Sequence, residues 1–149
     1  MPQSLAKIYI HLIFSTKKRE PFLRDSTVQQ ELHSYMAGIL QQRQSQVLAI
    51  GGTEDHVHIL YLLSKNESLT TGVAELKRSS SVWVKSKHQL PFQWQAGYGA
   101  FSVSHTVADH VCRYIGNQLE HHRTLSYQDE LRELFRGQGI EWNEQYVWD

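Results

Sequence analysis

Hydrophobic and polar positions alternate along Lys7 to Phe14 (KIYIHLIF), which is rich in β-branched and aromatic residues and predicts a first strand. Lys17-Lys18-Arg19 and Pro21 follow as a basic loop. The period then changes. Val28, Leu32, Tyr35, Met36, Ile39 and Leu40 recur at helical spacing, so a helix is predicted from a cap at Asp25 or Ser26 to near Arg43. Gln46 to Ile50 (QVLAI) reads as a second strand, Gly51 to Asp55 as a turn, and His56 to Leu63 (HVHILYLL) as a third strand. Ser68 opens a second helix with Leu69, Val73, Leu76 and Trp83 on its apolar stripe. The glycine-broken, aromatic stretch from Phe92 to Val103 holds the expected fourth strand. A helix from near Ser104 to Arg123, a short one near Asp129 to Arg136 and a tail complete the pattern.

The resulting order, β-α-β-β-α-β with a C-terminal helical extension, predicts an α+β, ferredoxin-like (RRM-like) split βαβ fold. Its sheet is antiparallel, with helices on one face. All 149 residues fit one domain. A fold of this kind hosts many functions, so the function must come from a site.

Composition changes this picture in a few places. The chain is 40% hydrophobic and 20% charged, which suits a protein that folds on its own core. No run approaches a membrane span, no signal-peptide core is visible, and Cys112 is the one cysteine, so the expectation is cytoplasmic and without a membrane. Fifteen Lys+Arg balance fifteen Asp+Glu, which argues against a large basic field for duplex DNA while leaving room for local patches. Nine histidines are more than average usage provides, and their positions carry the information.

Two short motifs carry chemistry. In His56-Val57-His58 the strand period of two puts both imidazoles on one sheet face and Val57 on the other, a good start on a divalent metal site. An outward pair of histidines on a strand is equally compatible with a plain solvated face. In Tyr114-Ile115-Gly116-Asn117-Gln118 the i,i+4 spacing makes Tyr114 and Gln118 neighbours at the edge of an apolar stripe formed by Ala108, Val111, Cys112, Ile115 and Leu119. Taken alone, Tyr114 reads as a half-buried boundary residue. Gly116, a costly residue inside a helix, suggests close backbone approach to another element or to DNA.

Together these motifs resemble the small single-tyrosine HUH transposases of bacterial insertion sequences, a superfamily that includes the REP-associated tyrosine transposases. His11 to Lys17 (HLIFSTK) matches that family's opening strand and basic loop, Asp55 to Leu60 (DHVHIL) its metal strand, and Tyr114 to Gln118 with His121-His122 its nucleophile helix. The resemblance implies that Tyr114 attacks a DNA phosphate to give a 5′-phosphotyrosine and a free 3′-hydroxyl. It implies that His56, His58 and Gln118 hold a divalent metal, Mg²⁺ or Mn²⁺. The implied substrate is single-stranded DNA with hairpins near the element ends. The implied assembly is a homodimer that shares its active sites, the histidine pair of one subunit working with the tyrosine helix of the other. Gly97 and Gly99 offer a hinge for that exchange, or an ordinary turn. No nucleotide cofactor is expected, because the phosphotyrosine conserves the ester and no P-loop pattern is present.

Lys17, Lys18, Arg19, Lys77, Arg78, Lys85 and Lys87 are the candidate DNA contacts, and each also reads as a solvated charge. Trp83, Phe92, Trp94 and Phe101 offer stacking for unpaired bases, or core. His110, Asn117 and His121, with His122, face the nucleophile side as candidate supporting groups, while His11 and His33 read as structural, His88 as surface and His105 as a helix cap. Competing readings are a domesticated relative that processes genomic hairpin repeats, a non-catalytic hairpin-binding protein, a ferredoxin-like RNA-binding module, and a replication initiator or relaxase of the same chemistry.

Overall fold

A computed structural model of the chain describes residues 2–149. Strand β1 (Tyr9–Ser15) is followed by a 3₁₀ turn (Lys17–Arg19), helix α1 (Ser26–Gln42), β2 (Gln46–Gly52), β3 (His56–Leu62), α2 (Leu69–His88) and β4 (Gly99–Val103). After a second 3₁₀ turn (His105–Val107) come α3 (Ala108–Gly116), α4 (Gln118–His121) and α5 (Tyr127–Gly137). The sheet is antiparallel throughout, in the order β2-β3-β1-β4, as the split βαβ pattern predicts.

Local chemistry explains the element boundaries. Asp25 starts α1 by accepting from the amides of Thr27 and Val28, and Ser68 and Ser126 cap α2 and α5 in the same way. Strand alternation then sorts the side chains to two sides. Ile10, Leu12 and Phe14 of β1, with Val57, Ile59 and Tyr61 of β3, pack against Leu32, Met36 and Leu40 of α1 and Val73, Leu76 and Val84 of α2. The expected helices on one face are thus α1 and α2.

The opposite face is covered as well, by the C-terminal extension. Tyr9 and Leu60 pack with Ala108 and Ile115 of α3, and Ile13 and Phe101 with Tyr127, Leu131 and Phe135 of α5. The tail after α5 returns over β4, where the Asp149 carbonyl accepts from the Gly97 amide at 2.9 Å and from Gln95 Nε2 at 3.1 Å. His11, His56 and His58 share this second face, so all three are buried.

The predicted helix from Ser104 to Arg123 is interrupted. Asn117 leaves helical geometry at φ −103° and ψ 24°, ending α3 and separating it from α4. Leu119, expected on the apolar stripe, is therefore turned out and 70% exposed. Gly116 answers no steric need, since a Cβ there would meet nothing within 4 Å. The close approach is at Gly51, where a Cβ would lie 2.4 Å from the Ile115 carbonyl oxygen. Only glycine lets β2 pass so near the end of α3.

Candidate active site

The sheet supplies the first half of the site. His56 and His58 project from one face of β3, as their spacing predicts, and their rings are 5.3 Å apart. Each is oriented from behind. His56 Nδ1 is 2.8 Å from Asp55 Oδ1 and 3.0 Å from Thr53 Oγ1, which leaves Nε2 pointing inward. His58 Nδ1 is 2.9 Å from His11 Nε2. His11, read from the sequence as structural, is thus the residue that aligns His58.

The C-terminal extension supplies the other half. Although the chain breaks at Asn117, Gln118 still reaches the histidines, with Oε1 3.2 Å from His56 Nε2 and 3.0 Å from His122 Nε2. Tyr114 lies over His58 with ring centroids 5.8 Å apart, and its hydroxyl donates to Glu130 Oε2. Glu130 sits at the centre of the arrangement and is 1% exposed. Its Oε1 is 3.1 Å from His58 Nε2 and 3.2 Å from His122 Nε2; its Oε2 is 3.3 Å from Gln118 Nε2 and from His121 Nε2. The ligand atoms of His56, His58, His122 and Glu130 all lie within 4.8 Å of one another, spacing that one metal ion can bridge.

Burial and charge set the protonation of this cluster. Burial pulls His58 down to about 4 against the raising effect of Glu130, and pulls His11 down to about 3. Both rings are neutral at neutral pH, the form that ligates metal. Burial alone would raise Glu130, but hydrogen bonds from His122, His58 and Tyr114 hold its carboxyl well below the ordinary range. Burial, reinforced by the Glu130 charge, pushes the Tyr114 phenol well above its ordinary value. As it stands the phenol is a hydrogen-bond donor to Glu130, and a cation beside it would favour its ionised form. The donor set of neutral imidazoles, an amide oxygen and a carboxylate fits a divalent ion of intermediate hardness.

Two pockets lead to the cluster. One, about 480 Å³, has His56 and His122 in its wall and Arg19, Arg24 and Arg123 around its mouth. The other, about 340 Å³, is lined by His110, Arg113, Tyr114, Asn117 and His121. Of the predicted supporting groups, His121 touches Glu130, whereas His110 and Asn117 are exposed and only line this second mouth.

The basic residues divide between places. Lys17, Lys18, Lys77, Arg78 and Lys85 line a groove of about 800 Å³ with Trp94 and Trp148, between α2 and the segment before β4, sharing no lining residue with the two pockets at the cluster. Lys18 and Arg19 both have left-handed backbone, φ 55° and 54°, a conformation costing about 1–2 kcal/mol per residue. That turn sends Lys17 and Lys18 to this groove and Arg19 to the pocket over His56. Lys77 is committed elsewhere, its ammonium donating to the carbonyls of Gln95, Ala96 and Gly97 at 2.6, 3.1 and 2.8 Å. Arg78 pairs with Glu75, and Lys87 with Glu31 at 3.4 Å outside the groove. Phe92 and Phe101 are core and present no face to a base. Trp94 is nearly buried at the groove wall with Nε1 donating to Ser80, and Trp83 stacks on Tyr35 at 4.8 Å.

Glu130 was not foreseen, and its sequence signal is a charge on a greasy stripe. It lies one helical turn after Tyr127 and among Leu131, Leu134 and Phe135, the buried face of α5. His122 has a plainer signal, the i,i+4 spacing from Gln118.

Within the single chain, Tyr114 rests on the histidine pair of β3. A solved protein of Deinococcus radiodurans R1, named as a candidate transposase, is similar to this chain at 26% identity and a TM-score of 0.61. That similarity covers 79% of this chain and 98% of the other. A REP-associated tyrosine transposase bound to a REP hairpin shares the fold at 15% identity and a TM-score of 0.61, over 96% of this chain and 90% of its own. No curated protein matches the sequence. The family described as "Transposase IS200 like" matches residues 4–118, which include His56, His58, Tyr114 and Gln118, and the chain belongs to that family of transposases.

Proposed function

We propose that this protein cleaves and rejoins single-stranded DNA at hairpin-bearing element ends through a phosphotyrosine at Tyr114. The observation that carries the reading is the convergence of the Tyr114 hydroxyl and the inward nitrogens of His56 and His58 on one buried cluster inside one chain. The relative bound to a REP hairpin supports hairpin DNA as the partner.

His56, His58 and Gln118 would hold the metal, Mg²⁺ or Mn²⁺. When bound there, such an ion supplies Lewis-acid stabilisation of charge on the phosphate. The chain's own residues do the rest. Asp55 and His11 hold the two imidazoles in orientation from behind. Glu130 and His121 hold the phenol in place. In the forward step the Tyr114 oxygen gives up its proton and forms a bond to phosphorus, the P–O3′ bond breaks, and the departing 3′ oxygen takes up a proton, so bonds and protons balance. Rejoining is the reverse: a 3′-hydroxyl attacks phosphorus and expels the phenolate. The number of ester bonds is unchanged, so the cycle needs no nucleotide. Lys17, Lys18, Lys85 and Arg19 carry the phosphate backbone toward the site, with Arg78 at the groove wall.

The test is to incubate the protein with labelled single strands from either side of its gene, with and without Mn²⁺ or Mg²⁺, and to look for a covalent adduct on a denaturing gel. A metal-dependent adduct on single but not double strands, absent from Tyr114→Phe and His56→Ala, is expected. Hairpin binding without any adduct would favour a binding protein, and an adduct that survives Tyr114→Phe would place the nucleophile elsewhere.

A further inference from the structure

The family match ends at residue 118, and the buried carboxylate at the centre of the site comes from beyond it. Glu130 divides its two oxygens between two sets of partners. Oε1 faces His58 Nε2 at 3.1 Å, His122 Nε2 at 3.2 Å and His56 Nε2 at 3.9 Å. Oε2 takes the Tyr114 hydroxyl and lies 3.3 Å from both Gln118 Nε2 and His121 Nε2.

The spacings around Oε1 are informative. Around an octahedral ion with bonds of about 2.1 Å, adjacent ligand atoms stand about 3.0 Å apart. The His58–Glu130, His122–Glu130, His56–Gln118 and His122–Gln118 separations are 3.1, 3.2, 3.2 and 3.0 Å. These four separations match such edges, as they also match hydrogen bonds, while His56 Nε2 stands 3.9 Å from Glu130 Oε1, between an edge and the roughly 4.2 Å of an opposite pair. A side chain serving only to satisfy one histidine has no reason to meet several inward-facing donors and the phenol together.

We infer that Glu130 completes the metal site with His122 and ties it to the nucleophile, Oε1 ligating the ion with His56 and His58 while Oε2 holds the Tyr114 hydroxyl. This rests on the metal site and nucleophile proposed above. One carboxylate then spans both parts of the machinery. A cation on Oε1 draws electron density from the group that holds the phenol, so metal occupancy is felt at Tyr114 directly. It also leaves fewer open positions on the ion than a set of His56, His58 and Gln118 alone.

The test uses metals without DNA. Mn²⁺ is titrated into the metal-free protein and free Mn²⁺ is followed by electron paramagnetic resonance, for wild type, Glu130→Gln and His56→Ala. Glu130→Gln is expected to weaken binding about tenfold or more. In parallel the protein is labelled with ¹³Cζ-tyrosine, and Zn²⁺ serves as the diamagnetic probe. The Tyr114 resonance, assigned by its absence in Tyr114→Phe, moves on metal addition in wild type and stays still in Glu130→Gln. Wild-type affinity in Glu130→Gln, or a metal shift at Tyr114 that persists in that variant, overturns the inference. Wild-type affinity in His56→Ala would instead remove the underlying metal site. Should Glu130→Gln fail to fold, Tyr114→Phe decides the coupling: it strips the one hydroxyl from Oε2, and Mn²⁺ affinity unchanged within twofold overturns the link.

Discussion

Single side chains in this protein act through what stands behind them. Asp55 touches no candidate substrate, yet it accepts from His56 Nδ1 and so decides where Nε2 points. Asp55→Asn therefore keeps the fold and lowers the rate of adduct formation by roughly 10–100-fold, with a matching loss of metal affinity, as calorimetric titration with Mn²⁺ will show. His33 shows the opposite situation on α1, where ring nitrogen Nε2 is buried without a partner and burial holds the group down to about 4. The sign follows directly. The unfolded ring takes a proton near 6.5 and the folded one only near 4, so stability present above pH 6.5 is lost as pH falls to 4. His33→Leu is expected to flatten this part of the stability–pH curve, measured by urea unfolding at a series of pH values in EDTA. The His-Val-His pair, Tyr114 and Gln118 were legible because strand and helix periods are local. Glu130 was not, since no local spacing links residue 130 to residue 56; only the docking of α5 on the sheet brings them together.

Elements position the site through a few contacts that leave no slack. Gly51 lets β2 run against the carbonyl end of α3, one residue from Tyr114 in the sequence. Gly51→Ala puts a methyl group 2.4 Å from the Ile115 oxygen and must push that end of α3 away. The expected cost is about 1–3 kcal/mol in urea unfolding, together with a larger loss of adduct formation than the stability change explains. Gly116→Ala, which meets nothing, serves as the control and is expected to retain both. The sequence drew attention to the glycine inside the helix because propensity is a local cost. The glycine that matters lies in a strand, and its reason is a neighbour remote in the chain. The same distinction explains the break at Asn117: an apolar stripe running on to Leu119 suggested one helix, but turning at Asn117 brings Gln118 to His56 and leaves Leu119 in water.

At the scale of the molecule, the sheet is a partition. One face is packed with α1 and α2 and reads plainly from the alternation of β1 and β3. The other buries the histidine cluster under α3, α4 and α5, with Tyr114 set beside His58. Mixing Tyr114→Phe with His56→Ala protein tests whether the site is shared between subunits: a site built within one chain restores no adduct on labelled single strands. Recovery of activity in the mixture would mean that the helices exchange between copies. The groove lined by Lys17, Lys18 and Lys85 and the pocket beneath Arg19 meet at the strained turn of residues 17–19. Single substitutions of Lys17 or Lys85 to alanine are expected to weaken binding of every strand tested and to lower its dependence on salt, read from affinities at several salt concentrations.

The order of residues along the chain also fixes the order in which a ribosome can make the site. When residue 118 has emerged, the histidine strand, the tyrosine and the glutamine all exist, but Glu130 and the packing of Tyr127, Leu131 and Phe135 do not. Domains fold as units once their chain is available, so the carboxylate that grips the phenol arrives only after the whole family signature has been made. A nascent chain thus carries every residue of the family signature before it carries the helix whose carboxylate holds the Tyr114 hydroxyl.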